Sequence, residues 1–153
     1  LMATIRLAGT DHAFACASDD TITRAGLRAG LPLAYECNTG GCGTCKVELV
    51  EGEVESLRAD SPALTERDRA KRRILACQAR PKGDCTIKTR IDPAATVPYR
   101  PAVHTARFVR ARDLTHDMRE FTFALDGPVS FLPGQYALVQ LPGVPAPRAY
   151  SMS

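Results

Sequence analysis

The strongest constraint on how this chain folds is a group of three cysteines in a glycine-rich stretch. Residues 35–45 read YECNTGGCGTC and place Cys37, Cys42 and Cys45 at the spacing C-x4-C-x2-C. A fourth cysteine, Cys77, follows after another 31 residues. Neither a regular helix nor a regular strand accommodates three glycines and three cysteines so close together. The sequence therefore predicts a loop that presents thiolates to a metal centre.

This spacing is the ligand spacing of plant-type [2Fe–2S] sites. Two irons bridged by sulfide need four thiolates, two on each iron, and we expect the three close cysteines to wrap one side and the distant one to close the other. Gly40, Gly41 and Gly43 let the backbone take positive φ and point N–H groups at the sulfurs. We expect Thr39 and Thr44 to add hydroxyl donors. The sequence thus predicts four cluster ligands.

Zinc and disulfides are the alternative uses of these cysteines. Structural zinc sites usually space their ligands as two separated C-x2-4-C pairs, whereas this chain has one triplet and one distant cysteine. Disulfides need an oxidising compartment, and the first ten residues, LMATIRLAGT, lack the pattern of a secretory signal. Cys16 and Cys85 lie in predicted strands among alternating apolar residues. We expect these two to be buried small hydrophobic residues.

Composition narrows the class of protein further. The 153 residues are 44% hydrophobic and 24% charged, which predicts a packed core. A net charge of +3 and the absence of tryptophan argue against a nucleic-acid partner. No run of 18 apolar residues is present, so we expect no membrane span. We expect a cytoplasmic protein.

Periodicity predicts the elements of the first part of the chain. Residues 3–8 and 12–17 alternate around a Gly9-Thr10-Asp11 turn and predict a β-hairpin. Thr65 and Asp68 form a capping-box pattern at the start of a short helix. The other predicted elements are a helix over 21–29, strands over 46–50 and 85–91, a helix over 65–73, and an extended segment over 74–79.

The amino-acid composition changes after residue 91. Residues 92–101, DPAATVPYRP, are rich in proline and alanine and predict a linker. Strand-like segments follow at 103–110, 119–125 and 135–141. We therefore divide the chain into a domain over 1–92, a linker over 93–101, and a second, all-β domain over 102–153.

Residues 35–45 resemble the ferredoxin domain of the reductases that serve bacterial aromatic-ring dioxygenases and di-iron monooxygenases. Simple plant ferredoxins usually have arginine directly after the first ligand, whereas this chain has Asn38, which favours the reductase branch. The resemblance implies an α+β chain in which residues 1–92 form a β-grasp [2Fe–2S] domain.

A second motif pair resembles the start of a ferredoxin-reductase-type FAD domain. Pro133-Gly134-Gln135-Tyr136 precedes Arg148-Ala149-Tyr150-Ser151, an R-x-Y-S motif. The resemblance implies that Arg148 meets the FAD pyrophosphate, for which a guanidinium is suited, that Tyr150 packs on the isoalloxazine ring, and that Ser151 hydrogen-bonds near the reactive nitrogen. It also implies an all-β FAD barrel, incomplete here. We expect this chain to bind FAD weakly or not at all.

The resemblance implies a function for the full-length parent. A hydride passes from NAD(P)H, bound by a domain that this chain lacks, to FAD, and electrons then leave singly through the cluster to an oxygenase or its ferredoxin. Two alternatives stay open. One is a stand-alone ferredoxin carrier without flavin, and the other is a non-redox β-grasp module that holds zinc.

Overall fold

The computed structural model describes residues 1–145 and 147–153. The chain forms two compact units, Leu1–Pro101 and Ala102–Ser153, each of which is described by itself. The regular structure among the described residues is mostly β-strand, with two α-helices and one 3₁₀ helix. Neither of these α-helices is long and apolar enough to span a bilayer.

The first unit is built on a five-stranded sheet. Its five strands are β1 (Met2–Leu7), β2 (Ala13–Ala17), β3 (Lys46–Glu51), β5 (Arg73–Leu75) and β7 (Cys85–Lys88). Their order in the sheet is β2-β1-β7-β3-β5. Strand β1 pairs antiparallel with β2, which confirms the predicted hairpin, and parallel with β7, while β3 runs antiparallel to both of its neighbours.

Alternation along these strands directs apolar side chains to one core. Ile5, Cys16 and Ile87 are fully buried there, and helix α1 (Ile22–Arg28) adds Ile22 to the same core. The expectation that Cys16 is a buried small hydrophobe is confirmed, and so is that for Cys85. Burial raises the pKa of the Cys16 thiol to about 11, so the group stays protonated and inert at neutral pH.

A small two-stranded ribbon lies beside the sheet. It pairs β4 (Val54–Ser56) antiparallel with β6 (Ala79–Pro81), and the sequence had not predicted β4. The predicted extended segment over 74–79 is divided between the end of β5, a 3₁₀ helix (Ala76–Gln78) and the start of β6. Cys77 therefore lies on one tight turn of 3₁₀ helix.

Helix α2 (Glu66–Ala70) begins with the predicted capping box. The Thr65 hydroxyl accepts a hydrogen bond from the Asp68 amide at 3.1 Å, and the Asp68 carboxylate accepts one from the Thr65 amide at 3.1 Å. The same buried carboxylate contacts Lys46 Nζ at 2.7 Å and Arg73 Nη1 at 2.9 Å. These two cations hold the pKa of Asp68 well below its usual range. Asp68 thus ties the helix to Lys46, which directly follows Cys45, and to Arg73 on the strand that leads to Cys77.

Helix α2 is shorter than the predicted span of 65–73. Arg72 adopts φ 52, a left-handed conformation that ends a helix, and Arg73 already belongs to β5.

Removal of the Thr65 hydroxyl should destabilise the first unit. We expect Thr65→Ala to lower the free energy of unfolding by about 1 kcal/mol, the usual cost of losing an N-cap side chain. Urea titration followed by far-UV circular dichroism measures this change. Thr65→Ser keeps the hydroxyl and is the matched control. Equal losses in both variants would show that the cap hydrogen bond is not the cause.

The second unit contains two separate ribbons in its described part. Each pairs two antiparallel strands: β8 (Ala106–Asp113) with β9 (Arg119–Leu125), and β10 (Tyr136–Val139) with β11 (Arg148–Ser151). Phe108 and Phe123 meet edge to face across the first ribbon, with ring centroids 6.0 Å apart. Strand β8 begins three residues later than the predicted 103, because the Thr105 amide donates to the Asp126 carboxylate at 2.9 Å and is not part of a strand ladder.

Candidate metal centre

The cysteine loop joins helix α1 to strand β3 and has the backbone that its glycines predict, with one exception. Gly40 and Gly43 have φ values of 78° and 80°, and Asn38 also lies in the left-handed region, at 52°. Asparagine tolerates that region better than most residues. The expectation of positive φ was wrong for Gly41, which lies outside this region.

The four cysteines are arranged as two pairs. Cys45 Sγ lies 3.1 Å from Cys77 Sγ, and both residues are almost completely buried, at 3% and 2% exposure. Cys37 receives hydrogen bonds from Cys42, whose side chain is exposed. The expectation that the three close cysteines wrap one side was wrong in this respect. Cys45 instead pairs with the distant residue, because β5 runs beside β3 and carries Cys77 back to it.

Backbone N–H groups point at the sulfurs. Cys37 Sγ accepts hydrogen bonds from Gly41 N at 3.3 Å and from Thr39 N at 3.4 Å. The Thr39 hydroxyl contributes as well, as expected. The expectation was wrong for Thr44, whose hydroxyl donates to Glu36 Oε2 at 2.8 Å. A carboxylate is a stronger acceptor than a sulfur, and Glu36 lies within reach.

These contacts favour the thiolate form at two of the four positions. Burial opposes ionisation of Cys37, but hydrogen bonds from Thr39 and Cys42 outweigh it and lower the pKa of Cys37 to about 6. A hydrogen bond from Cys77 lowers the pKa of Cys45 to about 7, and the same contact raises the pKa of Cys77. Thiolate is the form of cysteine that ligates metals, so the loop is prepared for metal binding.

The donor set fits a cluster of two irons. Among residues 1–145 and 147–153, no three metal-binding side chains converge on a single ion. A mononuclear zinc site places four ligands around one ion, whereas this loop offers two thiols at each of two places. Soft thiolates, in two pairs with N–H donors beside them, are the ligands that a [2Fe–2S] cluster takes.

Three side chains that the sequence reasoning missed hold this loop in place. The carbonyl groups of residues 38, 39 and 40 each accept one side-chain hydrogen bond, from Gln78 Nε2 at 3.1 Å, Arg58 Nη1 at 2.9 Å and Ser61 Oγ at 2.6 Å, respectively. The position of Gln78 directly after Cys77 was a usable signal. Arg58 and Ser61 lie in the segment between β4 and α2, where no pattern marked them.

The predicted FAD residues lie on one strand. Arg148, Tyr150 and Ser151 belong to β11, and Ser151 is opposite Tyr136 of the upstream motif. The Met152 amide also donates to Gln135 O at 2.8 Å. The fold therefore brings the two motifs side by side. Arg148 and Tyr150 lie two residues apart and share a face of the ribbon, while Ser151 points to the other face.

Known proteins resemble nearly the whole chain. The ferredoxin–NAD(P)(+) reductase CarAd of Metapseudomonas resinovorans is 43% identical over 146 residues, which cover 90% of this chain and 43% of that protein. The ferredoxin–NAD(+) reductase component of the alkene monooxygenase system of Xanthobacter autotrophicus is 40% identical over 143 residues, 93% of this chain and 43% of that protein. The chain thus spans less than half the length of these relatives.

Solved structures and a family profile agree with these relatives. A ferredoxin reductase in carbazole 1,9a-dioxygenase superposes on 99% of this chain and 46% of its own, with a TM-score of 0.81 and 41% identity. An Amycolatopsis cytochrome P450 reductase superposes on 97% of this chain and 44% of its own, with a TM-score of 0.72 and 31% identity. The profile of the 2Fe-2S iron-sulfur cluster binding domain matches residues 5–82, which hold all four paired cysteines. The chain belongs to the 2Fe-2S iron-sulfur cluster binding domain family.

Proposed function

We propose that this chain holds a [2Fe–2S] cluster through Cys37, Cys42, Cys45 and Cys77 and transfers one electron at a time. The observation that carries this proposal is the division of the four thiols into two pairs beside backbone N–H donors. When bound, the cluster supplies a one-electron redox couple. The protein supplies the ligands, the hydrogen bonds that tune the potential, and the exclusion of water from one side.

The two pairs differ in their access to solvent. Cys45 and Cys77 anchor the inner side in the core, whereas Cys42 lies exposed at the surface. A partner protein that docks over Cys42 comes closest to the redox centre. We therefore place the entry and exit of electrons on this side of the loop.

The relatives also support a larger assignment, of domains and FAD-binding residues. We propose that residues 1–92 form a β-grasp ferredoxin domain, 93–101 a linker, and 102–153 the first part of an all-β FAD barrel. In this arrangement Arg148 binds the pyrophosphate, Tyr150 packs on the isoalloxazine ring, and Ser151 bonds near its reactive nitrogen. The names of the relatives, a ferredoxin–NAD(P)(+) reductase and the reductase component of an alkene monooxygenase system, support this assignment.

The same names support a proposal for the source and the destination of the electrons. We propose that the parent protein draws electrons from NAD(P)H and delivers them, in the cytoplasm, to an oxygenase or to that oxygenase's ferredoxin. A bound FAD, held by Arg148, Tyr150 and Ser151, would supply the chemistry that divides a two-electron hydride into single electrons.

A visible absorption spectrum of the purified chain, recorded before and after anaerobic dithionite, tests the proposal. We expect a red-brown protein with about two irons per chain that bleaches partly on reduction. Titration with FAD then tests the second unit, for which we expect weak or no binding. A reducible cluster that accepts electrons with no flavin on the parent protein would support the stand-alone carrier instead. A colourless protein, after anaerobic purification with iron and sulfide supplied, would contradict the proposal and favour the zinc module.

A further inference from the structure

The carbonyl groups of residues 38–40 are held from outside the loop by three side chains. Gln78 and Ser61 are neutral donors, while Arg58 carries a positive charge to the middle carbonyl. A carbonyl that is held on one side of the peptide chain keeps the neighbouring N–H groups turned to the other side. Here those N–H groups belong to the stretch that donates to Cys37.

The Arg58 side chain runs along this loop and reaches it from the segment that follows β4. A Cβ built on Gly40 would lie 3.2 Å from Arg58 Cδ, and one built on Gly41 would lie 3.9 Å from Arg58 Nη1. The Gly41 amide is the group that donates to Cys37 Sγ at 3.3 Å. The guanidinium therefore lies beside the peptide that contacts a proposed ligand sulfur. Arg58 is half-buried, so water screens its charge only in part.

We propose that Arg58 is a positioning residue that also raises the reduction potential of the cluster. The inference rests on the proposed function, because it concerns the cluster held by the four cysteines. Its hydrogen bond to Thr39 O fixes the peptide that lies between the two peptides whose amides, Thr39 N and Gly41 N, donate to Cys37 Sγ. Its charge stabilises the reduced cluster, which carries one more negative charge than the oxidised cluster.

Substitutions of Arg58 can separate the effect of its hydrogen bond from the effect of its charge. The neutral donors Gln78 and Ser61 have no charge to remove. Lysine at position 58 keeps the charge, glutamine keeps a donor for the Thr39 carbonyl, and methionine keeps only the apolar stem. Exposed Lys88, at the end of β7, offers a matched control, because Lys88→Gln removes one positive charge elsewhere on the same unit.

Redox titration of the cluster-loaded chain, followed by visible absorption, measures the first effect. At a fixed applied potential, we expect Arg58→Met and Arg58→Gln to lower the ratio of reduced to oxidised cluster by about three- to tenfold, and a tenfold change equals 59 mV for one electron. Arg58→Lys and Lys88→Gln should keep the wild-type ratio. A change that only loosened the fold would not follow the charge in this way.

The rate of cluster release into a chelator measures the second effect. We expect release to be several-fold faster from Arg58→Met than from Arg58→Gln. If Arg58→Met loses its cluster during purification while Arg58→Lys retains it, the positioning role is supported. The effect of charge on the reduction potential is then measured on Arg58→Gln alone. Wild-type potential and release rate in the loaded Met and Gln variants would overturn the inference. A wild-type chain without any cluster would instead contradict the proposed function.

Discussion

Each of Cys37, Cys42, Cys45 and Cys77 should be indispensable for the cluster, so that alanine at any one of them yields a colourless protein. Removing an outer-shell partner of a metal site weakens binding about 10- to 100-fold, and the loss of a direct thiolate ligand should exceed that. We expect iron and acid-labile sulfide to fall from about two per chain to near zero. Visible absorbance and iron analysis of the anaerobically purified variants measure the loss.

The chain supplies its own controls for this experiment. Cys16→Ala and Cys85→Ala each remove a buried thiol that lies outside the loop, and both should retain the cluster. The four ligand variants should also differ from one another in fold stability. Cys42 is exposed, so Cys42→Ala leaves the packing intact, whereas Cys45→Ala opens a gap in the core. A full complement of iron in any of the four variants would contradict the proposed ligand set.

Gly52→Ala should be among the most damaging single substitutions outside the cysteine loop. Gly52 lies in the turn between β3 and β4 with φ 89°, a region that costs an alanine roughly 1–3 kcal/mol. Its missing Cβ would lie 2.5 Å from Asp84 O and 2.8 Å from Cys85 Sγ, so there is no room for a methyl group. Overpacking of this kind adds about 1–3 kcal/mol. We expect a total loss of about 2–6 kcal/mol in the free energy of unfolding.

Gly9→Ala separates the two contributions. Gly9 also has a positive φ, 75°, but a Cβ built there would meet no atom within 4 Å. We expect this control to lose only the conformational part, about 1–3 kcal/mol. Urea midpoints of both variants, followed by circular dichroism, give the comparison. Equal losses would show that the close approach of the Asp84 carbonyl contributes nothing.

The parts of the fold that local patterns determine were predictable. Alternation gave the β1–β2 hairpin, and Thr65 with Asp68 gave the capping box, because both depend on residues a few positions apart. Strand β4 was missed because three residues, Val54–Ser56, carry too little alternation to mark a strand. The paired arrangement of the thiols depends on how β5 lies beside β3, which the spacing of the cysteines does not contain.

In the candidate site, too, the features set by neighbouring residues were predictable, and those set by distant residues were not. The cysteines and glycines of the loop are visible in the sequence because they are clustered. Arg58 and Ser61 were not, because they reach the loop from 19 and 21 residues away and belong to no motif. The expectation for Thr44 was wrong because a competing acceptor, Glu36, comes close only when the loop folds back on itself.

The contact between Cys45 and Cys77 has a consequence for the protein without iron. A cluster held by both Cys45 and Cys77 would close the chain between them into a loop, which contains β3, β4, α2 and β5. Closing such a loop lowers the entropy of the unfolded chain by an amount that grows only slowly with its length. Filling the site therefore fastens one part of the first unit to another, as a cross-link does. The supply of iron then affects the stability of the folded first unit, as well as whether the protein carries electrons.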